Sequence, residues 1–160
     1  MKDAARTLKK LRQGRRGRLQ TGRIAELGAA LILVLPIAIT FLFVAVECTQ
    51  IYLINSALNH AAAQAARKLA IGYGNDPAGT MANPSTVFSQ IKFLNIVQSS
   101  SQFSVPTGTG GWNTSAFPPT VTVQVSFVSG KNGCPNLPNP DPLMLSSTLT
   151  MTATATSTLE

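Results

Sequence analysis

Histidine, cysteine, acidic and aromatic residues are scarce in this chain, and each scarcity closes off a class of chemistry. There is one histidine, His60, so imidazoles cannot cluster around a metal, and on the polar side of a helix it reads as a solvated side chain, not a general base. Cys48 and Cys134 are the only cysteines and lack metal-ligand spacing, and Glu47 stands where a lipidated cysteine needs a small residue before it. Asp76 and Asp141 fall in separate loops without a paired carboxylate near in sequence. The TGTGG stretch at 107–111 has neither the lysine nor the strand-to-helix setting of a phosphate-binding loop. The expectation is a chain that is not an enzyme, with no cofactor and no metal.

What is abundant is apolar and basic. Residues 27–46, LGAALILVLPIAITFLFVAV, form an uncharged run between Glu26 and Glu47. At about 1.5 Å per residue, such a helix spans the ~30 Å hydrocarbon core of a bilayer, with a carboxylate marking each end. Nine of the thirteen Lys and Arg residues precede the run: Lys2, Arg6, Lys9, Lys10, Arg12, Arg15, Arg16, Arg18 and Arg23. Less Asp3 and Glu26, they account for the whole net charge of +7. The positive-inside rule therefore predicts a cytoplasmic N-terminus and an extracytoplasmic C-terminal domain on a single-pass chain.

Other readings of this end are weaker. The basic tail has no aromatic residue on which a base could stack, so the predicted partner is the lipid bilayer and its anionic headgroups, with no nucleic acid. A cleaved secretory signal has an apolar stretch of about 7–15 residues and a small-x-small exit, whereas here the run is longer and Glu47 occupies the exit. A retained anchor is the expectation.

Neither Gly nor Pro interrupts residues 37–71. Ile51, Ile54, Leu58, Ala61, Ala65 and Leu69 recur at helical spacing, while Asn55, Ser56, Asn59, His60, Gln64, Arg67 and Lys68 occupy the other side. The helix is thus predicted to continue as an amphipathic stalk, stopped by Gly72 and Gly74, with an alanine-rich face flat enough for close approach of another backbone. Residues 72–86 read as a loop. Ser85 or Thr86 is a candidate cap for a short helix through Val87, Phe88, Ile91, Phe93, Leu94 and Val97. Residues 98–119 read as an exposed connection from which Trp112 could dock back.

The β signal comes last. Val121, Val123, Val125 and Phe127 alternate with polar residues, and Leu149, Met151, Ala153 and Ala155 alternate with threonines. Two strands alone are marginal in water, so the stalk is expected to cover them, with a third strand near Gln102 to Val105. The Pro-rich segment between them reads as a long surface loop. The expected fold class is α+β. Its divisions are a basic tail at 1–23, a transmembrane helix at 24–47, an amphipathic stalk at 48–71 and a small α+β domain at 72–160.

The basic tail, LVLP at Leu33 to Pro36, the exit glutamate Glu47 and IYLINSALNHAAAQAARKLA at Ile51 to Ala70 resemble the TadE/TadG-like pilus-assembly proteins. The resemblance covers roughly residues 22–71. It implies a pilin-like fold and a pseudopilin-like component of a tight-adherence secretion system in the bacterial inner membrane. It also implies other pilin-like subunits or pilus-assembly proteins as partners, and a prepilin peptidase. Type IV pilins and their relatives are commonly cut after a glycine that lies five residues before a glutamate, and this chain departs from that pattern. Here Gly22 precedes Glu26 by four, the residue five before is Thr21, and Ala30 stands six before the proline, where the family carries its processing glutamate. Thr21, Gly22 and Glu26 are the proposed processing region, and the alternative is that Glu26 is an interfacial charge beside Arg23.

Pro36 is expected to bend the helix, as a hinge or as a tolerated transmembrane proline. Glu47, Ala61, Ala65 and Leu69 are the candidate assembly face. Cys48 and Cys134 could pair with each other only if the late loop folds down toward the membrane; two free thiols or an intermolecular pair are the other options. The function expected is a structural or assembly component of a Tad-type pilus. The alternatives are a membrane-tethered extracytoplasmic binding module unrelated to pili and, more remotely, an anchored hydrolase using Asp76, Asp141 or His60.

Overall fold

A computed structural model describes residues 2–159, with side chains described at 26, 28–108 and 110–159. The long apolar and alanine-rich stretch folds as one helix, α1 (Lys2–Asn75), and the chain divides into two units, Met1–Leu42 and Phe43–Glu160. In the first unit α1 continues through Pro36, whose carbonyl accepts the Thr40 hydroxyl at 2.9 Å, a local bond that occupies an oxygen near the proline.

The second unit is an α+β domain built on the remainder of α1. The helix passes Gly72 and Gly74, where the sequence predicts its end, and stops at Asn75. Asp76 then takes an extended backbone, as a residue before proline prefers, and its carboxylate accepts the Gly79 N–H at 3.0 Å to cap a short helix, α2 (Pro77–Ala82). Gly72 has a packing role: a Cβ there would lie 3.2 Å from the Thr80 hydroxyl of α2. The next helix, α3 (Ser85–Phe88), lasts a single turn, and its cap position is Pro84, not Ser85 or Thr86. Phe88, Ile91 and Val97 still reach the interior, because the turns after α3 maintain the apolar spacing.

The strands are β1 (Phe103–Ser104), β2 (Trp112–Asn113), β3 (Thr120–Val128) and β4 (Thr150–Thr158). β3 is central: β4 pairs along all nine of its residues, and β1 and β2 pair with its other edge, all antiparallel. β1 is the third strand expected near Gln102 to Val105, β2 is a further short strand that the sequence did not suggest, and Trp112 docks back as expected, with its ring centroid 5.8 Å from that of Tyr73 near the end of α1. Strict alternation turns Val121, Val123, Val125 and Phe127 inward, where they meet Ile54, Leu58, Ala61, Ala65 and Leu69 of α1. Alanine along this helix face lets it lie close to the sheet, and exposed threonines of β4 cover the opposite face.

Candidate functional site

Along α1 a continuous exposed apolar stretch ends at one residue, with Tyr52, Leu53 and Ile71 exposed singly beyond it. From Leu31 to Val46 large apolar side chains are exposed, Leu33 by 70 % and Phe41 by 71 %. Among the described residues one helix, from Gly28 onward, is long and apolar enough to cross a membrane. Glu47, the next residue, is completely covered. Glu26, at the other end of the run, is exposed, while Thr21 and Gly22 of the proposed processing region lie outside the residues whose side chains are described.

The cover over Glu47 comes from the Pro-rich segment between β3 and β4. One helical turn beyond Glu47, Gln50 donates to the Asn139 carbonyl at 2.7 Å and accepts the Asn139 N–H at 2.6 Å. Asp141 follows, its carboxylate accepting the Leu145 N–H at 2.6 Å and the Ser146 N–H at 2.9 Å. These donors, with the Ser146 side chain acting most strongly, hold the Asp141 carboxyl below the usual carboxylate range. The Glu47 carboxyl faces Asp141 and the Leu143 backbone amide, yet neither of its oxygens completes a well-formed hydrogen bond. The segment expected to be a free surface loop is therefore fastened to the helix where the apolar run ends.

The four positions expected to offer an assembly face are occupied within the chain. Glu47, Ala61, Ala65 and Leu69 have no exposed surface: the three apolar ones pack in the domain core and Glu47 lies under the loop. The stalk face presented outward is instead mainly the polar one, carrying Asn55, Asn59 and Arg67, with Tyr52 and Leu53 also exposed near its start. His60 is exposed and stacks on Phe93 with centroids 5.8 Å apart. Asp76 caps α2 and Asp141 holds its own loop, so both carboxylates singled out in the sequence have backbone partners. Both cysteines are free, with Cys48 exposed and Cys134 buried.

Sequence reasoning missed a buried polar hub. Gln102 donates to the Ile96 carbonyl at 2.9 Å, the Ser126 carbonyl at 3.3 Å and the Cys134 thiol at 3.1 Å, and accepts from the amides of Gln98 and Ser99. A signal was present, since Ser99 to Gln102 reads S-x-x-Q, the pattern of a capping box, and the structure forms one. Nothing local marks Gln50, whose partner lies 89 positions away.

The sequence profile of the TadE-like protein family matches residues 31–67. That interval contains Leu33 to Pro36, Glu47 and most of the alanine-rich helix, the residues that carry the resemblance to TadE/TadG-like pilus-assembly proteins, and it supports a pilus-associated component. No curated protein and no solved structure matches the chain.

Proposed function

We propose that this protein is a structural or assembly component of a Tad-type pilus or secretion apparatus, anchored in the bacterial inner membrane by residues 27–46 with its α+β domain outside. The observation that carries this reading is the match of residues 31–67 to TadE-like proteins, an interval that includes the exposed apolar stretch from Leu31 to Val46. In lipid, helices associate by close packing, so the exposed run, not the buried alanine face, is the surface through which pilin-like partners would be engaged. The basic tail would hold the N-terminus in the cytoplasm, and a prepilin peptidase is a partner only if the irregular spacing around Gly22 is tolerated.

A photo-crosslinking residue placed at Leu33 or Phe41 in the native host tests the reading. Adducts with other pilin-like or pilus-assembly proteins are expected; adducts with lipid alone would favour a tethered module unrelated to pili. Protease added outside spheroplasts should remove the domain, and protection there would reverse the orientation.

A further inference from the structure

Immediately beyond the apolar run, the domain exposes a second apolar feature. The loop that covers Glu47 and is fastened at Gln50 has Pro142, Leu143, Met144 and Leu145 at its turn, and Leu143 is 53 % and Met144 80 % exposed. Met144 also has φ of 56°, a left-handed backbone that non-glycine residues rarely adopt, so the turn presents this side chain at some cost in strain. The only charged residue of the turn, Asp141, is directed inward at the amides of Leu145 and Ser146.

We propose that this turn is a second membrane contact, with Leu143 and Met144 entering the boundary between headgroups and acyl chains of the bilayer that holds the apolar run. The position supports a lipid surface over any other occupant. The turn is attached to α1 by the two bonds between Gln50 and Asn139, about one 5.4 Å turn beyond Val46, and its Asp141 and Leu143 positions lie over the buried Glu47. Phe43 and Val46, in the same unit, expose apolar surface on the helical turn that precedes Glu47. Apolar faces of interfacial segments sink about 5–10 Å into this boundary. This inference rests on the membrane reading of residues 27–46, and not on the pilus reading.

The test uses the full chain in nanodiscs containing lipids with a nitroxide high on the acyl chain. Trp112 is replaced by Phe, and single tryptophans are introduced as Leu143→Trp, Met144→Trp, Phe41→Trp and Phe117→Trp. Phe117 is fully exposed and follows β2, which docks near Tyr73, about 39 Å along α1 from Glu47. Circular dichroism verifies folding, and Met144→Trp serves if Leu143→Trp does not fold. The expected result is nitroxide quenching and blue-shifted emission at position 143 or 144 as at 41, while the tryptophan at 117 is quenched by aqueous iodide only. Iodide quenching without nitroxide quenching at 143 and 144, with 41 still quenched, would overturn the loop contact alone. Protection from both quenchers that grows with protein concentration would overturn it in favour of a second copy. An unquenched tryptophan at 41 would overturn the membrane reading as well.

Discussion

Gln50 and Asn139, 89 positions apart, exchange two hydrogen bonds of 2.7 and 2.6 Å, the Gln50 side-chain amide pairing with the Asn139 backbone as a neighbouring strand would. This pairing holds the Pro-rich loop against α1. Gln50→Ala removes both bonds, and because water can reach the site, the cost should be about 1 kcal/mol. Hydrogen exchange should accelerate at the Asn139 amide while the amides of β3 and β4 keep their protection; unchanged exchange at Asn139 would show that the loop is held by other means.

The loop should also loosen in acid. Asp141 titrates below the usual carboxylate range because Ser146 and Leu145 stabilise its ionised form, so its contribution is complete above the unfolded value near pH ~3.9 and is lost as pH falls through the lowered folded value. Thermal midpoints measured down the acid limb should fall more steeply for the wild type than for Asp141→Asn, which is destabilised throughout. Parallel curves for the two proteins would contradict the assignment.

The alanine face of the stalk is expected to be intolerant of size. Ala61 has no exposed surface beneath the sheet, so Ala61→Leu should overpack the core and cost about 1–3 kcal/mol. Leu58→Ala, which opens a cavity in the same layer, should cost about 2–5 kcal/mol. Ala63 lies on the exposed face, and Ala63→Leu should stay within about 0.5 kcal/mol. Denaturant unfolding distinguishes the three, and an equal effect at 61 and 63 would place the core elsewhere.

The two thiols should react very differently. Cys48 is exposed, whereas Cys134 is buried, accepts a hydrogen bond from Gln102, and is pushed up in pKa by that burial, leaving little thiolate at neutral pH. In folded protein a maleimide should label one site quickly and the second only after denaturation. Gln102→Ala, which strips partners from the amides of Gln98 and Ser99, should cost about 1–3 kcal/mol and speed labelling of Cys134.

The elements with a strong hydrophobic period were legible from the sequence. Val121 to Phe127 alternate in the structure as in the sequence, and Ile54, Leu58, Ala61, Ala65 and Leu69 form the buried helix face. What those residues face was harder to read, because an alanine-rich stripe suits either another subunit or the chain's own sheet, and here the sheet took it. The end of α1 was misread since Gly72 has a packing reason, the approach of Thr80, that a glycine does not announce. The loop over Glu47 was illegible for a simpler reason: two side chain–backbone bonds across 89 positions leave no periodic trace.

The central claim is that this chain is a membrane-anchored part of a pilus apparatus, and imaging surface pili on a strain lacking its gene tests it most directly. Pili should be absent or sharply reduced without the chain and return with the wild-type sequence, but not with a version in which Leu33 and Phe41 are replaced by Lys. Undiminished pili on the deletion strain would contradict the account.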